Sequence, residues 1–166
     1  MVYALVGAVS APLVCLSILC AQPAPVGAGE TNSITSLAGR WAGSATVTPV
    51  SGPIESIKCV ITYFPSEDGT RIKQNVRCKG PSTSFDAATQ LQIAGGAVTG
   101  SWQDNVYSLT GSVQGSVTPS GFDVTLLGRY FAAKMRVVSS HCEQSITVTP
   151  DNTAHMKELA ATLRKC

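Results

Sequence analysis

His141 and His155 are the only imidazoles in the 166-residue chain, and they limit what nucleophilic or general-base chemistry it can perform. A serine or cysteine nucleophile needs a base within hydrogen-bond reach. Ser139-Ser140-His141 brings hydroxyls and an imidazole together only as chain neighbours, which does not orient a triad. His155 falls in the first turn of a segment with helical periodicity. Asp86, Asp104 and Asp123 stand at expected strand ends or turns, where aspartate usually bonds nearby backbone. These residues predict a protein that is not an enzyme.

Cysteine is the other chemically active type. Cys15 and Cys20 lie in an apolar leader, which leaves Cys59, Cys78, Cys142 and Cys166. No CxxC spacing occurs and the histidines are far apart, so neither a metal nor a cofactor is expected. Four cysteines in a short exported domain read as two disulfides, with three possible connectivities.

The elements that must position these residues are strands. The stretch 97–128 alternates small or apolar residues with polar ones and is broken by Asp104-Asn105 and Pro119-Ser120-Gly121, the pattern of a three-stranded meander. Upstream, 37–47 carries Trp41, Gly43, Ala45 and Val47 on one face, 55–64 carries Cys59, Ile61 and Tyr63, and 71–79 carries Ile72, Gln74, Val76 and Cys78. Asp68-Gly69 is a two-residue hairpin signal. Centred there, the turn sets Ile61 opposite Val76 and Cys59 opposite Cys78, at about 5.5 Å between Cα atoms for a hydrogen-bonded pair, within disulfide reach. Pro65, which cannot donate to the ladder, is the residue that would shift this register.

The later turns give further registers. Gly95-Gly96 sets Ile93 opposite Val98, Leu91 opposite Gly100 and Thr89 opposite Trp102. Asp104-Asn105 sets Trp102 opposite Tyr107, Gly100 opposite Leu109 and Val98 opposite Gly111. Ser120-Gly121 sets Val117 opposite Val124, Gly115 opposite Leu126 and Val113 opposite Gly128. All three place apolar residues and glycines on one face, although each was fixed by its own turn. Glycines facing large residues let a sheet coil and close.

Residues 134–138 and 143–148 add short strands with Met135, Val137, Ile146 and Val148 inward. Asp151-Asn152-Thr153 offers an N-cap, and Met156, Leu159, Ala160 and Leu163 follow at helical spacing. The expected fold is all-β: an antiparallel up-and-down barrel of about eight strands with a C-terminal amphipathic helix, pinned by a Cys142–Cys166 disulfide.

With 12 Lys and Arg against 10 acids the net charge is +2, and no global field points to nucleic acid. Residues 2–21 are almost wholly apolar and the first charged residue is Glu30. A signal peptide over 1–28, cut after Ala28 or alternatively Ala21, is expected, and an uncleaved membrane anchor is the competing reading. Leu19 argues against lipidation of Cys20. Residues 29–36 read as a flexible arm and 37–166 as one domain. Periplasmic or secreted localisation follows.

Two surfaces are candidates for binding. Arg71, Lys73, Arg77 and Lys79 share the outward face of one strand, and Lys58 is expected opposite Lys79, a like-charge pair that an anionic partner would relieve or that simply protects a strand edge. Inside, Trp41, Tyr63, Leu91, Trp102, Tyr107 and Leu109 would line a pocket for a small apolar ligand or fill a dry core.

The Leu37-x-Gly39-x-Trp41 opening, the meander and the terminal helix together resemble the calycin barrels, which include lipocalins, avidins and small bacterial protease inhibitors. That resemblance implies that Trp41 packs at the closed end of the barrel beside a basic residue from a late strand, Arg136 or Arg129. It also implies an exported calycin-type binding protein holding a small apolar or amphipathic ligand. The alternatives are an inhibitor of an exported protease, acting through the arm and strand-end loops, and a structural envelope protein.

Overall fold

The computed structural model describes residues 34–151 and 155–165. The expected leader, the first part of the arm and Cys166 lie outside the described residues. Ten strands follow one another: β1 (Gly39–Pro49), β2 (Glu55–Pro65), β3 (Arg71–Lys79), β4 (Ser84–Ala94), β5 (Ala97–Asp104), β6 (Leu109–Thr118), β7 (Gly121–Gly128), β8 (Ala132–Ser140), β9 (Glu143–Pro150) and β10 (Met156–Arg164). Each pairs antiparallel with its neighbours in sequence, and β10 pairs with β1 to close a barrel.

Alternation makes the strands. In β3, Ile72, Gln74 and Cys78 are buried, whereas Arg71, Lys73, Asn75, Arg77 and Lys79 are exposed. The Asp68-Gly69 register holds: Cys59 pairs with Cys78 and Ile61 with Val76, and Pro65 pairs with Ile72 without a shift. Cys59 and Cys78 form a disulfide with Cα atoms 4.1 Å apart, the closer spacing of a non-hydrogen-bonded pair rather than the wider one expected. Cys142 is also disulfide-bonded. Its expected partner, Cys166, is outside the described residues, but the preceding Lys165 donates its backbone N–H to the Cys142 carbonyl at 3.2 Å.

Three expectations are corrected. The terminal segment is a strand, not a helix, so the barrel has ten strands rather than about eight. Leu159, Ala161 and Leu163 alternate inward, and pairing with β1 and β9 satisfies two backbone edges at once, which outweighs the helical propensity of Ala, Leu, Lys and Glu. The β4–β5 register is as expected, but the next two turns are not. Trp102 faces Gly111 rather than Tyr107, because residues 105–108 form a longer turn in which the Asp104 carboxylate accepts the Tyr107 N–H at 2.8 Å. Val113 faces Leu126 rather than Gly128, because Pro119-Ser120 makes the turn. Both displacements are even, so every side chain keeps its face.

One end of the barrel is closed. Ile34 and Leu37, from a short turn before β1, are buried with Trp41, Tyr63, Phe122 and Leu163. Ile34 thus lies in the core although it falls within the stretch expected to be a free arm. Trp41 donates its indole N–H to the Leu37 carbonyl at 2.8 Å. The cation over its ring is Lys165, at 4.9 Å, and neither Arg136 nor Arg129. Arg136 instead binds both carboxylate oxygens of Asp123, and Arg129 lies over Tyr130.

The seam between β1 and β10 leaves no room at Gly43: a Cβ there would overlap the Thr162 carbonyl. Gly43→Ala should therefore destabilise the protein by about 1–3 kcal/mol, the usual cost of overpacking, as read from urea unfolding. An unchanged midpoint would mean that residues 156–164 do not pack against β1 as a strand.

Candidate ligand-binding cavity

Above the packed end the barrel is hollow. A cavity of about 250 Å³ is walled on one side by β7–β10, through Leu126, Ala133, Met135, Ile146, Val148 and Leu159. The other wall, β2–β5, adds Ile61 and Val76 but also Gln74, Thr89, Trp102 and Asp104. The Cys59–Cys78 disulfide is itself part of this wall, so the crosslink that ties β2 to β3 also fixes the cavity's shape.

Of the interior residues expected from sequence, Trp102, Tyr107 and Leu109 line the cavity. Trp41, Tyr63 and Leu91 do not; all three are buried in the packing beneath it. Tyr107 is displaced by the turn correction to the mouth, where it is half exposed. Met135, Ile146 and Val148 were legible as inward-facing from their alternation, but nothing in their types marked them as cavity rather than core. Phe131, between β7 and β8, carried no periodic signal; its ring lies 5.6 Å from that of Trp102.

Beneath the cavity, where Gln74 reaches it, the buried polar groups are paired. Tyr63 donates its hydroxyl to Gln144 Oε1 at 3.1 Å, Gln74 bonds the same phenol, and Gln144 Nε2 donates to Ser139 Oγ at 2.9 Å. Burial raises the Tyr63 phenol above its ordinary pKa despite these amide contacts, so it remains a neutral donor.

The mouth is formed by the loops at residues 50–54, 80–83, 105–108 and 129–131, with Asp151 and His155 at the ends of β9 and β10 on the same side. Val50, Ile54, Val106, Tyr107 and Tyr130 are exposed there. Glu55 fixes one edge: its carboxylate accepts the hydroxyls of Ser82 and Thr83, both at 2.6 Å, and their backbone N–H groups at 2.8 and 3.1 Å.

The remaining sequence candidates lie elsewhere. Lys58, Arg71, Lys73, Arg77 and Lys79 are all exposed on the outer surface, with Lys58 beside Lys79 as expected. Arg77 approaches Asp86 at 3.5 Å. His141 sits in the β8–β9 turn at the closed end, with Nδ1 3.3 Å from Ser140 Oγ, whereas His155 precedes β10 at the mouth. The two imidazoles therefore cannot share a site. Among the described residues no three His, Cys, Asp or Glu side chains gather as a metal site would require.

The four hydrogen bonds to Glu55, led by that from the Ser82 hydroxyl, lower its pKa from the ordinary 4.5 to about 2. Its folded pKa is depressed, so its stabilisation is present above about pH 4.5 and lost as the pH falls toward 2. Carboxyl-carbon NMR should place the Glu55 midpoint near 2, and amide protection of Ser82 and Thr83 should fall over the same window. A midpoint near 4.5 would show that the loop is not tied down.

No protein-family model matches the chain, and no curated protein matches it. Solved structures do. The S-type phycobiliprotein lyase CpeS of Guillardia theta is similar with a TM-score of 0.54 at 10% identity, over 81% of this chain and 91% of that one. The expectation of a protein that is not an enzyme is corrected here, because a barrel of this architecture carries the name of a lyase. The likeness is one of fold: a closed antiparallel β-barrel.

Proposed function

We propose that this chain is a calycin-type barrel that holds a small apolar or amphipathic ligand in its open half. The carrying observation is the cavity of about 250 Å³, closed below by the Trp41–Tyr63 packing and bounded above by loops. Small-molecule sites usually span roughly 300–1,000 Å³, so the volume suits a compact ligand such as a fused bicycle or a short acyl chain. The lining explains the preference: apart from Gln74, Thr89, Asp104 and the polar tips of Trp102 and Tyr107, it consists of hydrocarbon and sulfur.

Export belongs to the same proposal. Disulfides at Cys59–Cys78 and at Cys142 support an oxidising compartment, periplasmic or extracellular. The protease-inhibitor reading has less support. It relied on a free arm before the barrel, but Ile34 is buried, and Lys165 Nζ donates to the carbonyls of Ser36 at 2.7 Å and Ala38 at 3.3 Å.

Titration with N-phenyl-1-naphthylamine should show saturable one-to-one binding with enhanced dye fluorescence. Ala133→Phe, which fills the cavity from β8, should weaken binding at least tenfold while unfolding stays cooperative. Met135→Trp provides a second filling variant if the first does not fold. No dye binding, or equal binding by a folded filled variant, would contradict the proposal.

A further inference from the structure

Half of the 12 lysines and arginines lie on the outer face of three adjacent strands: Arg40 on β1, Lys58 on β2, and Arg71, Lys73, Arg77 and Lys79 on β3, all exposed. The acid on this face is Asp86 of β4, which Arg77 approaches at 3.5 Å. Among the described residues no carboxylate lies within ion-pair distance of Lys58, Lys73 or Lys79. Glu67 and Asp68 occupy the β2–β3 turn at the closed end, and Asp68 is bound by the hydroxyls of Ser66 and Thr70. At the mouth end the Glu55 carboxylate is held by Ser82 and Thr83.

Neither stability nor edge protection accounts for this face. Lys58 and Lys79 stand directly opposite each other, and like charges so placed repel. Lysines commonly guard the open edge of a sheet, but β3 is paired with β2 on one side and β4 on the other within a closed barrel, so it has no edge to guard. Solubility is served by both signs interspersed and does not require one sign to be segregated. The charge is directed at something outside the molecule that is negative.

The neighbouring side chains specify what that is. Lys79 ends β3 and Lys58 faces it, so the pair stands beside the mouth, next to the 50–54 loop, whose Val50 and Ile54 are 55% and 65% exposed. Val106, Tyr107, Leu127 and Tyr130 continue this apolar rim; among the described residues the other exposed large hydrophobics are Phe64 and Val138, both toward the closed end. A soluble polyanion would engage the lysines but leave the aliphatic rim in water. A bilayer surface takes both, because aliphatic and tyrosine side chains enter the interface while lysine ammonium groups meet lipid phosphates.

We propose that the mouth end of the barrel docks on a bilayer containing anionic lipid. Val50 and Ile54 enter the headgroup–acyl boundary, and the barrel leans on its β1–β3 side so that Lys58, Lys73 and Lys79 reach the phosphates. This goes beyond the ligand-cavity reading and does not rest on it; the two together would set the cavity mouth against the membrane.

The test is co-sedimentation with vesicles of phosphatidylcholine and phosphatidylglycerol in equal parts, against vesicles of phosphatidylcholine alone. The unaltered protein should bind the anionic vesicles and lose that binding at high salt. Lys58→Gln together with Lys79→Gln should weaken it about tenfold, and Val50→Ser together with Ile54→Ser by a similar factor. All four side chains are exposed, so urea midpoints should be unchanged. No binding to anionic vesicles would overturn the proposal. Binding weakened by the lysine pair but not by the serine pair would also overturn it, since that is how an acidic polymer would bind, and so would self-association through the rim in place of vesicle binding. Dye titration of the same variants without vesicles separates the two claims: loss of dye binding alone counts against the cavity, and loss of vesicle binding alone counts against the docking surface.

Discussion

A sheet of ten strands has two edges, and the structure depends on their meeting. At the seam Ala45 pairs with Ala161 and Gly43 with Leu163, small residues against small or glycine against large, which lets β1 and β10 approach with their side chains directed inward. Open edges would leave two rows of unpaired N–H and C=O groups available to other chains; closure pairs them within the molecule. Closure at ten strands has a further consequence. Eight strands give an interior that side chains alone can fill, and width grows with strand number, so a ten-stranded barrel needs either larger side chains or a plug. This chain uses a plug at one end and leaves the other half hollow.

The plug joins both ends of the described chain. Ile34 and Leu37 enter from before β1, and Lys165, just after β10, lies over Trp41 and donates to the carbonyls of Ser36 and Ala38. The seam and the closed end therefore reinforce each other. Tyr63, Gln74 and Gln144 form the boundary between packed and hollow halves, and their mutual hydrogen bonds allow polar groups to be buried there without leaving one unmatched. Above that boundary Trp102 Nε1 is the exception among the described residues: it is buried against Gly111 without an acceptor.

Much of this was legible in the sequence, for identifiable reasons. Asp68-Gly69 and Gly95-Gly96 specify two-residue turns, and from them the Cys59–Cys78 pairing and the β4–β5 register follow directly. Asp104-Asn105 has the same local appearance, but Asp104 uses its carboxylate to hold a longer turn, which chain-local turn rules do not reveal. The inward face survived that error because side-chain direction has a period of two. The terminal strand was the larger miss. Residues 156–164 carry inward positions at both helical and strand spacing, and the choice is made by the two waiting edges, a tertiary demand absent from the segment itself. The cavity was only half legible: alternation identifies what points inward, whereas hollow or filled depends on strand count.

The central claim is that the barrel encloses an apolar space above the Tyr63 boundary. A crystal structure under xenon pressure tests it most directly, because xenon enters dry apolar cavities without needing a polar partner. The account predicts xenon density between Ile61, Val76, Leu126, Met135 and Ile146, with the surrounding side chains unmoved. Those side chains meeting across the barrel axis, with no xenon between them, would contradict it.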